Sequence, residues 1–180
     1  MKRPLLAAGL LCIATATARG ADPTGEFNAV ATIDTPSGSR SMALTVVVRR
    51  PMRLEEAMPL KKILEEGGQQ ALLNAIKGSN RGSFRLGAME YPIDLVIAEP
   101  GRDGYTYFIV TGRQLQYDEE QQGSESLDHP FTVAECHVPD FGPGDGHVYT
   151  QAALVVDPDG HVRVNQYDRK PGTIKDVKRR

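Results

Sequence analysis

The chain has no tryptophan and only two cysteines, Cys12 and Cys136. Its aromatic residues are five phenylalanines and six tyrosines. This small number, without tryptophan, argues against a broad stacking surface for sugars or bases. Cys12 falls in a segment that we expect to be removed, so the mature chain keeps one thiol and can form no disulfide within itself. Its stability must come from packing, and a chain of this length can bury one core.

Neither sign of charge is in large excess. The 21 basic and 23 acidic residues give a net charge of −2. Loss of the leader removes Lys2, Arg3 and Arg19, which leaves −5, or −4 if Arg19 stays. Such a chain has no general attraction to nucleic acid or to anionic lipid. The one cationic cluster is expected to be a solvated tail; it consists of Lys175, Lys178, Arg179 and Arg180.

No apolar run is long enough for a membrane-spanning helix. Residues 4–18 are uncharged and mostly apolar or small, but a bilayer-spanning helix needs about 20 such residues. Lys2 and Arg3 precede this run and small residues end it, a pattern typical of an export signal. We predict a signal peptide over residues 1–21, cleaved after Ala18 or, as second choice, Gly20. We expect the remaining residues, 22–180, to form a single domain in the periplasm or outside the cell. Lipidation is not expected, because the bulky Leu11 precedes Cys12.

Most of the mature chain has the pattern of antiparallel strands. Short apolar runs alternate with polar positions or are continuous, and they are separated by turn sequences. The clearest pair is 91–98 with 105–111, joined by a glycine-rich loop. Residues 157–160 (DPDG) predict a tight hairpin turn. We expect eight to nine strands in a curled or barrel-like meander of the α+β class, with a β-sandwich as the alternative.

One region, residues 53–77, changes to helical spacing. Its apolar residues recur every three or four positions, and Gly67 and Gly68 suit a helix stop. The pattern predicts a two-helix corner inserted after the second strand. We expect it to pack onto the sheet through Leu60, Ile63, Leu64, Leu72, Leu73 and Ile76. Residues 113–130 are polar and predict a surface excursion.

All four histidines, His129, His137, His147 and His161, lie in the last third of the chain, and a metal site is one interpretation of this clustering. A hairpin that pairs Val138 with His147 would place His137 and His147 on opposite faces. No histidine cluster is then expected. Asp157, Asp159 and Gly160 resemble the start of a calcium loop, but position 161 is a histidine, and the hairpin turn is the preferred interpretation.

Cys136 with a histidine base would make a thiol enzyme, but Cys136 and His137 are strand neighbours whose side chains diverge. We expect Cys136 to be a core residue beside Ala134 and Val138. Ser126, Asp128 and His129 lack the geometry and sequence motif of a catalytic triad.

The loop 38–41 (GSRS) could hold an anion, but a hairpin loop has the same composition. The sequence contains no phosphate-binding or dinucleotide motif. It therefore predicts no catalytic, metal or cofactor-binding residue, and no cofactor.

Three stretches, residues 35–41 (TPSGSRS), 65–73 (EEGGQQALL) and 126–131 (SLDHPF), resemble a family of uncharacterised secreted bacterial proteins. The resemblance covers most of residues 26–178. It implies export and a common fold, and it brings no activity or ligand.

The leading hypothesis is an exported, non-catalytic domain that binds a small apolar ligand or a protein partner. The sheet with its helical lid could hold the ligand, and the loops 113–130 and 139–146 could contact a protein. A thiol-dependent hydrolase using Cys136 and a structural cell-envelope component are the alternatives. An apolar pocket would favour ligand binding, whereas an open cleft with Cys136 beside a histidine would favour catalysis.

Overall fold

Ten strands and one helix make up the regular structure of the residues that the computed structural model describes, 22–35, 38–114, 128–166 and 170–180. The first half contains β1 (Gly25–Thr35), β2 (Gly38–Val48), α1 (Leu54–Ile76), β3 (Gly82–Leu86), β4 (Met89–Ile93) and β5 (Leu95–Pro100). The second half contains β6 (Gly104–Thr111), β7 (Phe131–Pro139), β8 (Gly144–Val156), β9 (Val162–Gln166) and β10 (Gly172–Arg179). The predicted excursion at 113–130 lies largely outside the described residues, since only 113, 114 and 128–130 are among them.

All strands belong to one antiparallel sheet in the order β4-β3-β2-β1-β10-β8-β7-β6-β5, with β9 paired to the second half of β8. The two ends of this sheet meet because β4 and β5 follow each other directly. The Arg81 N–H donates to Ile93 O (2.8 Å) on the β3 side, and the Asp94 N–H donates to Val110 O (3.0 Å) on the β6 side. The result is a nearly closed barrel, which confirms the α+β class and the barrel-like antiparallel sheet.

The corner between β4 and β5 is made by Asp94, where a single strand over 91–98 was predicted. Asp94 is buried, and its carboxylate accepts the N–H groups of Gly78 (3.0 Å) and Gly112 (2.8 Å). These two donors follow α1 and β6, so one side chain joins the end of the helix, the end of a strand and the corner. A buried carboxylate is stable here because it is hydrogen-bonded. The division at this corner is why the strands number ten.

The barrel interior is filled by the inward-facing positions of the strands. In β1 these are Phe27, Ala29, Ala31 and Ile33, which alternate with more exposed residues as the period of two requires. Phe27 contacts Tyr107 with ring centroids 5.3 Å apart, an ordinary aromatic contact distance. A second apolar cluster lies outside the barrel, between α1 and strands β5 to β8.

The structure has one helix where two were predicted. α1 runs from Leu54 to Ile76, and only Gly68 leaves helical geometry, with φ 68° and ψ −162°. Glycine reaches this positive φ without a steric penalty, so the turn takes a single residue and helical structure resumes at once. The predicted apolar face does pack onto the sheet: Leu64, Leu72 and Ile76 are buried, and Leu60 and Leu73 are partly buried against them. Ile63 is half-buried and lies outside this cluster.

The basic end of the chain is part of the sheet, so the prediction of a solvated tail is wrong. β10 lies between β1 and β8 and extends to Arg179. The Arg179 guanidinium donates to Asp22 O (2.7 Å) and to the Tyr107 hydroxyl (3.0 Å). That hydroxyl in turn donates to Pro23 O (3.0 Å). Arg179 thereby ties the first described residues to the barrel.

Candidate functional site

An apolar groove of about 580 Å³ lies between α1 and the outer face of the sheet. One wall is formed by Ala57, Leu60 and Leu64 from the first half of α1. Leu72 from the second half of the helix also lines the groove. Its floor is apolar as well and consists of Leu95, Ile97, Phe108 and Leu154. Met58 and Val162 lie at the groove with large exposed fractions, 56% and 41%. The groove is therefore open to solvent on one side.

Strand register explains which side chains form the floor. Ile97, Phe108 and Glu135 are directly opposite one another across β5, β6 and β7, so they form one row on the outer face. Glu99 and Thr106 form the next row towards the β5–β6 hairpin. The first row therefore ends in the Glu135 carboxylate, and the next row has the Glu99 carboxylate and the Thr106 hydroxyl in place of Ile97 and Phe108.

α1 is held over this floor at three points. Before the helix begins, the N–H of Met52 donates to the carbonyl oxygen of Val96 in β5 (2.7 Å). In its middle, the Gln69 side chain bonds the backbone of Leu154 on β8. After its end, the Gly78 N–H donates to Asp94. The helix thus starts at β5, reaches β8 at the Gly68 break and returns to the β4–β5 corner.

The Gln69 contact substitutes for a missing strand. Its Nε2 donates to Leu154 O (2.6 Å), and its Oε1 accepts the Leu154 N–H (2.9 Å). The ladder between β7 and β8 ends at the pair Phe131–Ala152, two residues before Leu154. Buried peptide groups require hydrogen-bond partners. The side-chain amide of Gln69 provides the donor and the acceptor for Leu154 at the point where β7 has ended.

The charged groups of the groove are two carboxylates and one ammonium. Glu99 is exposed and Glu135 is half-buried. The pKa of Tyr149 is raised, first by burial and then by the negative charge of the nearby Glu135 carboxylate. The Lys61 ammonium lies on the groove wall, 3.7 Å from the Glu65 carboxylate one helical turn later.

Cys136 lies on the opposite side of the sheet from the groove. It is fully buried in the barrel core with Ala134 and Val138, as predicted. Burial raises the pKa of its thiol to about 12. At neutral pH this thiol is protonated, and the thiolate is the nucleophilic form. The neighbouring His137 is on the outer face, where its Nε2 is 3.5 Å from the Asp103 carboxylate.

The predicted register of the β7–β8 hairpin is wrong. His147 lies opposite Glu135, not Val138, because the loop between β7 and β8 is residues 140–143 and so is shorter than the predicted loop 139–146. The displacement is an odd number of residues, so it reverses the face. His137 and His147 are consequently both on the outer face, as diagonal neighbours.

Among the described residues, one group has ligand atoms close enough to share a metal ion: Asp157, Asp159 and His161, all within 4.8 Å of one another. The Asp157 carboxylate already accepts Arg163 Nε (2.6 Å) and the His161 N–H (2.8 Å). The Arg163 hydrogen bond lowers the pKa of Asp157 most. Backbone bonds between Asp157 and both Gly160 and His161 close the turn. The predicted hairpin turn is confirmed.

The predicted triad residues and the loop 38–41 do not form a site among the described residues. Ser126 lies outside the described residues, Asp128 is exposed and His129 is half-buried. In the loop that could hold an anion, the Ser39 hydroxyl donates to Asp34 Oδ1 (2.5 Å) and Ser41 shares a hydrogen bond with Thr32. Within the described part of the chain, no helix is both long and apolar enough to cross a membrane.

No family model, curated protein or solved structure matches this chain. The resemblance to uncharacterised secreted bacterial proteins therefore stays a prediction. The sequence prediction named no groove residue as a site. One signal was available: residues 95–97 and 152–154 are continuously apolar, which is typical of strands covered on both faces. Such runs mark the part of the sheet that α1 covers.

Proposed function

We propose that this chain is a non-catalytic binding domain that takes a small apolar ligand into the groove between α1 and the sheet. The observation that carries the proposal is the groove itself. Its volume of about 580 Å³ falls in the range of small-molecule sites, roughly 300–1,000 Å³. A mostly apolar lining with a few polar groups at one end is also typical of such sites.

The position of Cys136 favours binding over catalysis. A thiol hydrolase needs its cysteine in a cleft beside a base, but Cys136 is in the core and His137 faces the other side of the sheet. None of the described residues that line the groove is a cysteine.

We also propose that the domain acts in the periplasm or outside the cell, after removal of the predicted signal peptide. Expression of the full chain in a bacterium, followed by fractionation and intact-mass measurement, tests this. The expected product is extracytoplasmic and lacks residues 1–18 or 1–20. An uncleaved chain in the cytoplasm would overturn the export proposal and leave the groove unaffected.

Ligand binding is tested with N-phenyl-1-naphthylamine, an apolar dye whose fluorescence rises in apolar sites. We expect saturable binding by the wild type. Ala57→Phe fills the groove from its wall and should weaken binding at least tenfold. Ala75→Phe is the matched control, because Ala75 is exposed on the same helix outside the groove. It should bind as the wild type does.

Thermal unfolding of both variants checks that they fold. If Ala57→Phe is unfolded, Thr106→Trp at the open end replaces it, with Thr173→Trp on β10 as control; both threonines are exposed. Absence of saturable binding by the wild type would refute the proposal, as would equal affinity of the filled and control variants.

A further inference from the structure

We infer that the ligand of the groove is a cationic amphiphile, with an apolar chain beneath α1 and an ammonium head over Phe108, between the carboxylates of Glu99 and Glu135. This inference rests on the proposed function and specifies its ligand class.

The groove has an apolar end and a polar end. Leu64, Leu72, Leu95 and Leu154 surround the end beneath the helix, and all four belong to the buried cluster with exposures of 6% or less. Glu99 and Thr106 occupy the opposite end, one row beyond Ile97 and Phe108. A ligand that matches this order has an apolar chain at one end and a polar group at the other.

The charge of the polar end is negative. Within residues 22–35, 38–114, 128–166 and 170–180, no ion pair joins Glu99 or Glu135 to a lysine or arginine. The wall cation, Lys61, is balanced by Glu65 at 3.7 Å. A cationic head would therefore meet two carboxylates without a competing lysine or arginine, whereas an anionic head would be repelled by both. Two imidazoles lie on the same face, that of His137 opposite Thr106 and that of His147 opposite Glu135.

The geometry between the carboxylates suits an ammonium group. Glu99 is on β5 and Glu135 on β7, one row apart, so their backbone positions are separated by two strand spacings, about 10 Å, and by two residues along the strands, about 7 Å, which together give about 12 Å. Phe108, on the strand between them, is half-buried on the floor. A cation over an aromatic face is attracted by the ring, as in sites that recognise quaternary ammonium ligands.

Displacement of N-phenyl-1-naphthylamine by three twelve-carbon amphiphiles tests the inference, each used below its micelle concentration. The probes are dodecyltrimethylammonium, dodecyl maltoside and dodecyl sulfate. We expect dodecyltrimethylammonium to bind at least tenfold more tightly than the neutral and anionic probes. Glu135→Gln and Glu99→Gln should each weaken it three- to tenfold and leave dodecyl maltoside unchanged.

Glu90→Gln is the matched control for net charge, because Glu90 pairs with Arg85 on β3 and β4, away from the groove. It should bind all three probes as the wild type does. Equal affinity for the three probes would overturn the inference and leave the proposed function standing. A preference for dodecyl sulfate that is lost in Lys61→Met would also overturn it. If neither the dye nor any amphiphile binds, the proposed function fails as well.

Discussion

The contact between Gln69 and Leu154 should contribute more to stability than any exposed glutamine of α1. In Gln69→Leu the side chain keeps its size and the helix propensity is nearly unchanged, but two hydrogen bonds to Leu154 are lost. Each bond contributes about 0.5–1.5 kcal/mol net, and a peptide group left unpaired in a buried position costs about 1–3 kcal/mol. Leu154 is buried, so we expect a loss of about 2–4 kcal/mol.

Gln70→Leu is the control at the next position. Gln70 is exposed, and its amide bonds only to Asn74 at 3.3 Å, so the change should stay within about 0.5 kcal/mol. Urea unfolding followed by far-UV circular dichroism measures both variants, with an unchanged dependence on urea concentration as the check for two-state behaviour. Gln69→Leu should also bind the dye more weakly, because this contact holds α1 over the groove. Equal stabilities of the two variants would refute the reasoning.

Three further predictions concern other parts of the fold. Leu64→Ala removes a buried side chain between α1 and the sheet and should cost about 2–5 kcal/mol; a loss below about 0.5 kcal/mol in urea unfolding would show that this face is exposed. Asp94→Asn replaces one of the two acceptors for Gly78 and Gly112 with a donor, and a thermal scan should show a loss of about 1–3 kcal/mol. Cys136 keeps its proton up to a pKa of about 12 when folded, against 9.0 as its ordinary value, so the folded state binds more protons between these pH values. The contribution of this thiol to the free energy of unfolding is present below pH 9. It is lost as pH rises towards 12, by up to about 1.4 kcal/mol per pH unit. The free energy of unfolding of Cys136→Ala should therefore depend less on pH over this range than that of the wild type. An identical pH dependence in the two proteins would contradict the raised pKa of the thiol.

Local patterns in the sequence were enough to predict the fold class. The alternation in β1 and the apolar runs of the later strands depend only on which face is buried, and they predicted the strands apart from the division of residues 91–98 into β4 and β5. The turn at 157–160 follows from the conformations open to proline and glycine. Cys136 was correctly predicted to be in the core from its apolar strand neighbours. Each of these features is decided within a few residues of the chain.

Register and long-range contacts were decided only by the tertiary structure. The β7–β8 pairing could not be read from the sequence, because the exact length of the connecting loop sets which residues face each other, and the strand pattern does not define where that loop begins and ends. The role of Asp94 depends on Gly78 and Gly112, and that of Gln69 on Leu154, 85 positions away. The groove depends on all of these, since it exists only where α1 is held over one particular row of the sheet. Sequence pattern fixes which faces are apolar, but the gap between two such faces is set by the contacts that position them.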